Sequence, residues 1–196
     1  MEETPASDVF ARVMMRRSSS ALLLAWIVAC HASSGAGGVT ALDGNPVNPF
    51  AGEAKATVLV FVATDCPISN RYSPELRRLA SRFGPRGVAF RLVYPVASES
   101  PAMIREHLRE YALPFAAVRD PLHTLAARAR VKVTPESAVF TRGGALVYRG
   151  RIDDRQVDFG QARPEPTRRD LEEAIESVIE GRSPPESTAP AIGCGI

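Results

Sequence analysis

Cys66 stands between the apolar run Val58 to Thr64 and a segment, Pro67 to Leu76, that reads as a helix. A strand that empties into a helix leaves the thiol beside the unpaired N–H groups of the first turn and the positive end of the helix dipole. Both favour thiolate over thiol, and the thiolate is the species that attacks disulfides and peroxides. The bland reading of a free cysteine is a small buried hydrophobe. The position at a strand-to-helix switch points instead to thiol redox chemistry. Pro67 suits the first helical position, where no N–H is needed. Ser69 falls on the same turn, and its hydroxyl is a potential donor to the thiolate. Ser69 carries no thiol, so a mixed disulfide or sulfenic acid at Cys66 has to be resolved from elsewhere. Cys194, carried on a long arm, or an external thiol is the candidate; the other readings of Cys194 are a cysteine without a role or one that pairs with another chain. Asp65 either caps the helix or opposes the thiolate by its charge.

The elements that must position these residues follow from hydrophobic periodicity. Residues 57 to 64 read as a central strand covered on both faces. The helix after it carries Leu76, Leu79 and Phe83 at helical spacing and stops at Gly84. Gly87 to Tyr94 is the next strand, and Pro101 opens a helix with Ile104, Leu108 and Tyr111 on one face. Phe115 to Arg119 makes another strand, and Leu122, Leu125, Ala126 and Ala129 a short helix. After Pro135 come strands Ser137 to Thr141 and Ala145 to Arg151, joined by a turn at Arg142, Gly143 and Gly144. The last helix is expected from Thr167, with Asp170 completing a capping box and Leu171, Ile175 and Val178 buried. The alternation gives an α/β sheet with helices on both faces. The strand after the hairpin returns toward the thiol, so Arg149, Arg151, Asp154 and Arg155 are expected at the rim. There an arginine would stabilise the thiolate or hold an anionic substrate; the alternative is that these residues pair with one another in a loop.

The segment from Val58 to Pro74 resembles the active-site segment of the thioredoxin-like superfamily: a buried strand, an aromatic residue, Cys-x-x-Cys, and a kink proline eight residues after the first cysteine. Asp65 stands at the aromatic position, Cys66 at the first cysteine, Ser69 at the second and Pro74 at the kink. Val133-Thr134-Pro135 resembles the cis-proline segment that faces the cysteine. Thr64-Asp-Cys-Pro-Ile-Ser-Asn-Arg-Tyr72 with Arg149-Gly-Arg-Ile-Asp-Asp154 is most similar to redoxins of the alkyl hydroperoxide reductase and thiol-specific antioxidant branch. The resemblance covers roughly residues 40 to 182 and implies a thioredoxin-like central mixed sheet. It implies that Cys66, Ser69, Pro135 and Cys194 carry the chemistry, with Thr134, Arg151 and Asp154 toward substrate, because the terminal Gly193-Cys194 segment also resembles tails of similar redoxins. Two departures from the branch stand out. The second cysteine is Ser69, and the threonine and proline that precede a peroxidatic cysteine by three and seven residues are Ala63 and Leu59.

The chain has 196 residues, 45% hydrophobic, with a net charge of +2. That suits one domain with a substantial core and gives no nucleic-acid surface. Met14 to Arg17 precede the apolar stretch Ala21 to Ala29, in the order of an export signal. Nine residues are too few to span a bilayer, which needs about 20. Residues 27–30 also resemble a lipobox, which would make Cys30 a lipidated first residue; cleavage near Ala32 or Ala36 is the alternative. Met14 or Met15 is a candidate start. The expected organisation is 1–38 signal and linker, 39–182 thioredoxin-like domain, and 183–196 a proline-rich arm with Cys194. The reading is an exported thiol-dependent redoxin, periplasmic or membrane-anchored through its N-terminus. It takes a protein disulfide or a peroxide as substrate and an external thiol as reductant. The alternative is a non-enzymatic binding or metal-handling module of the same fold. One cysteine with the distant His123 is a poor metal site, His107 has less claim still, and neither a metal nor a cofactor is expected.

Overall fold

The computed structural model describes residues 38–184 and 190–196. The chain enters at β1 (Thr40–Ala41), an edge strand antiparallel to one that comes much later, and then forms the central strand β2 (Ala56–Phe61). All six residues of β2 are buried because alternate side chains enter two different cores. Val58 and Val60 lie in one core with Leu76, Leu79, Phe83, Ile104, Leu171 and Ile175. Leu59 and Phe61 lie in the other with Leu125, Ala126 and Ala129.

After β2 the chain turns through Thr64 and Asp65 into α1 (Pro67–Arg71), bends at Tyr72, and continues as α2 (Ser73–Phe83). The bend has a local cause. Pro74 has no N–H to give to the preceding turn and disfavours helical backbone just before itself. Then follow β3 (Val88–Tyr94), α3 (Pro101–Glu110), β4 (Ala116–Arg119), α4 (Thr124–Ala129), β5 (Val133–Thr134), β6 (Glu136–Thr141), β7 (Leu146–Gly150), a small hairpin β8 (Gln156–Asp158) and β9 (Gln161–Ala162), α5 (Asp170–Ile179) and β10 (Cys194–Gly195). The main sheet has the order β1-β4-β3-β2-β6-β7. β2, β3 and β4 are parallel; β6 and β7 run antiparallel. This is the expected mixed sheet, with α2, α5 and the Ile104 side of α3 on one face and α4 on the other.

Two expected elements differ. α5 starts at Asp170, not at Thr167, because Asp154 takes the Thr167 and Arg168 N–H groups at 2.7 and 2.9 Å and also accepts the Thr167 hydroxyl. The remote carboxylate holds those residues outside the helix. Leu122 is 72% exposed and precedes α4, since His123 adopts a left-handed conformation at the helix start. β1, β5, β8, β9 and β10 are additional to the elements read from the sequence. Cys30, the signal-like stretch and residues 185–189 of the proline-rich arm lie outside the described residues.

Candidate functional site

Cys66 is the N-cap of α1, in extended backbone, and its sulfur accepts the Ser69 N–H at 3.5 Å. It is 1% exposed. The Cys66 thiol donates to the Thr134 carbonyl at 3.1 Å, across the Thr134–Pro135 peptide, which is cis. The Ser69 and Thr134 hydroxyls are both buried with no hydrogen-bond partner of their own, and both bear on the Cys66 sulfur in the direction of ionisation. An ionised sulfur therefore gains donors as it loses the Thr134 carbonyl, which only accepts.

The C-terminal strand brings the second thiol. β10 pairs antiparallel with β5, Cys194 opposite Thr134 and Gly195 opposite Val133, and the Ile196 N–H extends the ladder to the Lys132 carbonyl. Cys194 Sγ lies 3.0 Å from Cys66 Sγ, and both cysteines are free. Burial pushes the Cys66 thiol up, but the Ser69 hydroxyl, the Cys194 S–H and the Ser69 main-chain N–H outweigh it and hold it below the ordinary thiol value. Cys194 is pushed up to about 11, first by giving its S–H to the Cys66 sulfur, then by burial and by the charges of Cys66 and Asp65. The pair is unequal in the sense that chemistry needs: one sulfur prone to ionise and one that keeps its proton.

Behind the thiol a buried network clamps the turn. The Thr64 N–H donates to a Glu99 carboxylate oxygen, and the Thr64 carbonyl accepts from Asn70 Nδ2 at 3.2 Å. Asn70 Oδ1 accepts from His107 Nε2 at 2.8 Å, and His107 Nδ1 then accepts from the Tyr94 hydroxyl at 2.9 Å. Burial depresses the His107 pKa and raises that of Glu99. A second tie joins the helix bend to the loop after β7, where the Tyr72 hydroxyl donates to Asp153 at 2.6 Å. Sequence reasoning missed these residues as site components. The available signals were that Thr64, Asn70, Tyr72 and Asp153 fall inside the redoxin-like pattern, and that His107 lies three residues after Ile104 on the inward face of α3. Partners that lie far apart in the chain leave no local pattern.

Cys66, Ser69, Thr134, Pro135 and Cys194 come together. The expected rim residues are engaged elsewhere. Arg149 pairs with Glu136 at 3.0 Å and Arg151 with Asp170 at 2.8 Å. Asp154 is buried and pairs with Arg163, and its carboxyl is held down to about 2: burial raises it, but the Thr167 hydroxyl and the Arg168 and Thr167 N–H groups outweigh that cost. Arg155 lies 3.9 Å from Glu165. Among the described residues the groups bonded to the Cys66 sulfur are Ser69, Thr134 and Cys194, with no arginine between them.

Residues 38–150 match the AhpC/TSA family. Among solved structures, an uncharacterized conserved protein from Geobacillus kaustophilus superposes with a TM-score of 0.70 at 29% identity, covering 81% of this chain and 86% of that one. A hypothetical protein from Sinorhizobium meliloti gives 0.69 at 22% identity over 81% and 88%. A thioredoxin-like protein from Aeropyrum pernix gives 0.52 at 17% identity over 73% and 87%, a likeness of fold. No curated protein matches the chain.

Proposed function

The chain belongs to the AhpC/TSA family, and from that premise we propose that it is an exported thiol-dependent redoxin in which Cys66 attacks and Cys194 resolves. The observation that carries the reading is the 3.0 Å approach of the two sulfurs, with Cys66 shifted toward thiolate and Cys194 toward thiol.

In disulfide exchange, the Cys66 thiolate attacks one sulfur of a substrate disulfide. The other substrate sulfur leaves as a thiolate. Cys194 then attacks the Cys66 sulfur of the mixed disulfide, its proton passing to the departing substrate thiolate, and the Cys66–Cys194 bond forms. The substrate leaves with two electrons, and an external thiol reductant returns two electrons and two protons to the pair. With a peroxide, the Cys66 thiolate attacks one oxygen and becomes a sulfenic acid as the O–O bond breaks and the other oxygen leaves, once protonated, as water or an alcohol; condensation with Cys194 then forms the disulfide and releases water. Disulfide exchange is the primary reaction in this reading, because Ala63 and Leu59 replace the residues that accompany a peroxidatic cysteine. Ser69 and Thr134 act through their hydroxyls on the ionised sulfur. Arg151 and Asp154 shape the loop beside the site. Export, to the periplasm or to a membrane anchor at Cys30, rests on the charged and apolar order of residues 14–29. Among the described residues no helix is long and apolar enough to cross a membrane.

One equivalent of hydrogen peroxide or of a small disulfide, followed by a non-reducing peptide map, tests the assignment. A Cys66–Cys194 cross-link is expected. Conversion of Cys66 only to sulfinic acid, or only to a bond with another chain, overturns it.

A further inference from the structure

Gly193 is buried although it sits in the last few residues of the chain. A Cβ built on it would lie 2.2 Å from the Thr134 carbonyl oxygen and 2.6 Å from its carbon, main-chain atoms that the ladder to β10 and the bond from Cys66 hold in place. Real Cβ atoms do not come so close, and neither partner is the mobile end of a side chain. Gly195, two residues on, is exposed and a Cβ there would meet nothing within 4 Å. The two glycines that flank Cys194 are therefore unlike. One is demanded by the strand beneath it and the other is not.

The rest of the tail is anchored as an extended ligand is anchored. Ile192 packs against the core that contains Cys66, and Ile196 against the core on the other face of the sheet, so Cys194 has an apolar anchor on each side of it in the chain. Main-chain pairing to β5 sets the register, and that register puts the Cys194 sulfur against Cys66. A strand edge that binds by main-chain hydrogen bonds and selects by what fits beneath alternate residues is the general scheme of β-strand addition.

We propose that Gly193 is the residue that sets the register of the tail: residues 192–196 are a resident strand on the Val133–Thr134 edge, and that docking site admits only glycine immediately before Cys194. The seated tail covers Cys66. It has to leave before Cys66 reaches a protein disulfide, and it returns in register, guided by Gly193, to deliver Cys194. The proposal rests on the thiol reading above for its chemistry, but the docking is measurable without it.

The test compares the full chain with Gly193→Ala and Gly195→Ala. Two rates are read. The first is labelling of reduced Cys66 by a polymer-linked maleimide too bulky to pass the seated tail. The second is formation of the Cys66–Cys194 disulfide after one equivalent of hydrogen peroxide. Gly193→Ala is expected to speed the first and slow the second by about tenfold or more, as overpacking against fixed backbone requires, while Gly195→Ala leaves both within about twofold. Equal behaviour of the two variants overturns the docking site, and so does faster labelling with an unchanged disulfide rate. Faster labelling in a protein that never forms the disulfide, wild type included, upholds the docking and refutes the redox reading. Normal disulfide formation in Gly193→Ala does the reverse.

Discussion

Cys194 Sγ lies 3.0 Å from Cys66 Sγ although the two residues are 128 positions apart. The contact is made by different means on each side. Cys66 is fixed by the entry of α1 and by the Thr134 carbonyl, whereas Cys194 arrives on a two-residue strand paired to Thr134 itself. Thr134 is thus the common reference for both sulfurs.

The inequality of the two thiols is measurable directly. Titration followed by cysteine Cβ chemical shifts, in a Cys30→Ser background, is expected to show one step below the ordinary thiol value of 9.0 and a second near about 11. In Cys66→Ser the lower step should vanish, and the upper one should move back down, because its chief cause is the partner sulfur. A lower step that survives Cys66→Ser would assign the reactive thiol to Cys194.

Ser69→Cys should turn the site into a local dithiol. Ser69 is 2% exposed and its hydroxyl has no hydrogen-bond partner in the thiol form, so an S–H in its place gives up only the help that the hydroxyl lends to the ionised Cys66 sulfur. The backbone at Cys66 and Ser69 already brings that turn against the sulfur. The variant is expected to reduce insulin with a dithiol donor at least about tenfold faster than wild type, since resolution no longer waits on the tail. Activity that does not rise in a folded variant would mean that the α1 turn does not let the two sulfurs meet.

Asp154 should govern the acid limb of stability. Its folded-state pKa is held down to about 2 against the ordinary carboxyl value of 3.8. Its contribution is therefore present above the unfolded pKa and lost as pH falls through the folded one. At neutral pH, Asp154→Asn is expected to cost about 1–3 kcal/mol in denaturant unfolding, the usual loss for a buried hydrogen-bonded charge. The gap between variant and wild type should close as pH falls from about 4 to about 2. A gap independent of pH would show that shape, not charge, makes the contribution.

Much of this architecture was legible because it is local. The unbroken apolar run of β2, the spacing of Leu76, Leu79 and Phe83, and the Gly143–Gly144 turn each declare an element within a few residues, and each is present. The Cys66–Ser69 turn was legible for the same reason. The failures have a shared cause. Thr167 and Asp170 have the spacing of a capping box, yet Asp154, 13 positions before Thr167, wins the N–H groups. Leu122 fits the helical period of α4, yet the left-handed His123 makes that helix start after it. The approach of Cys194 was raised only as a candidate, because two-residue strands such as β5 and β10 carry no period and acquire their structure from each other.

If Cys66 and Cys194 cycle as proposed, the route by which Cys194 reaches Cys66 ties the redox state of the domain to its resistance to unfolding. A bond between neighbouring cysteines in one helical turn closes a small ring and leaves the unfolded chain nearly as free as before. A bond between residues 128 positions apart ties almost the whole domain into one covalent circle. Ring closure on that scale lowers the entropy of the unfolded chain and stabilises the fold by roughly 4–5 kcal/mol. Because the two equilibria form a cycle, the same free energy makes the bond harder to reduce in the folded chain than in the unfolded one. In the proposed cycle the oxidised domain is the more durable form, and each round passes through a reduced state with a smaller margin of stability.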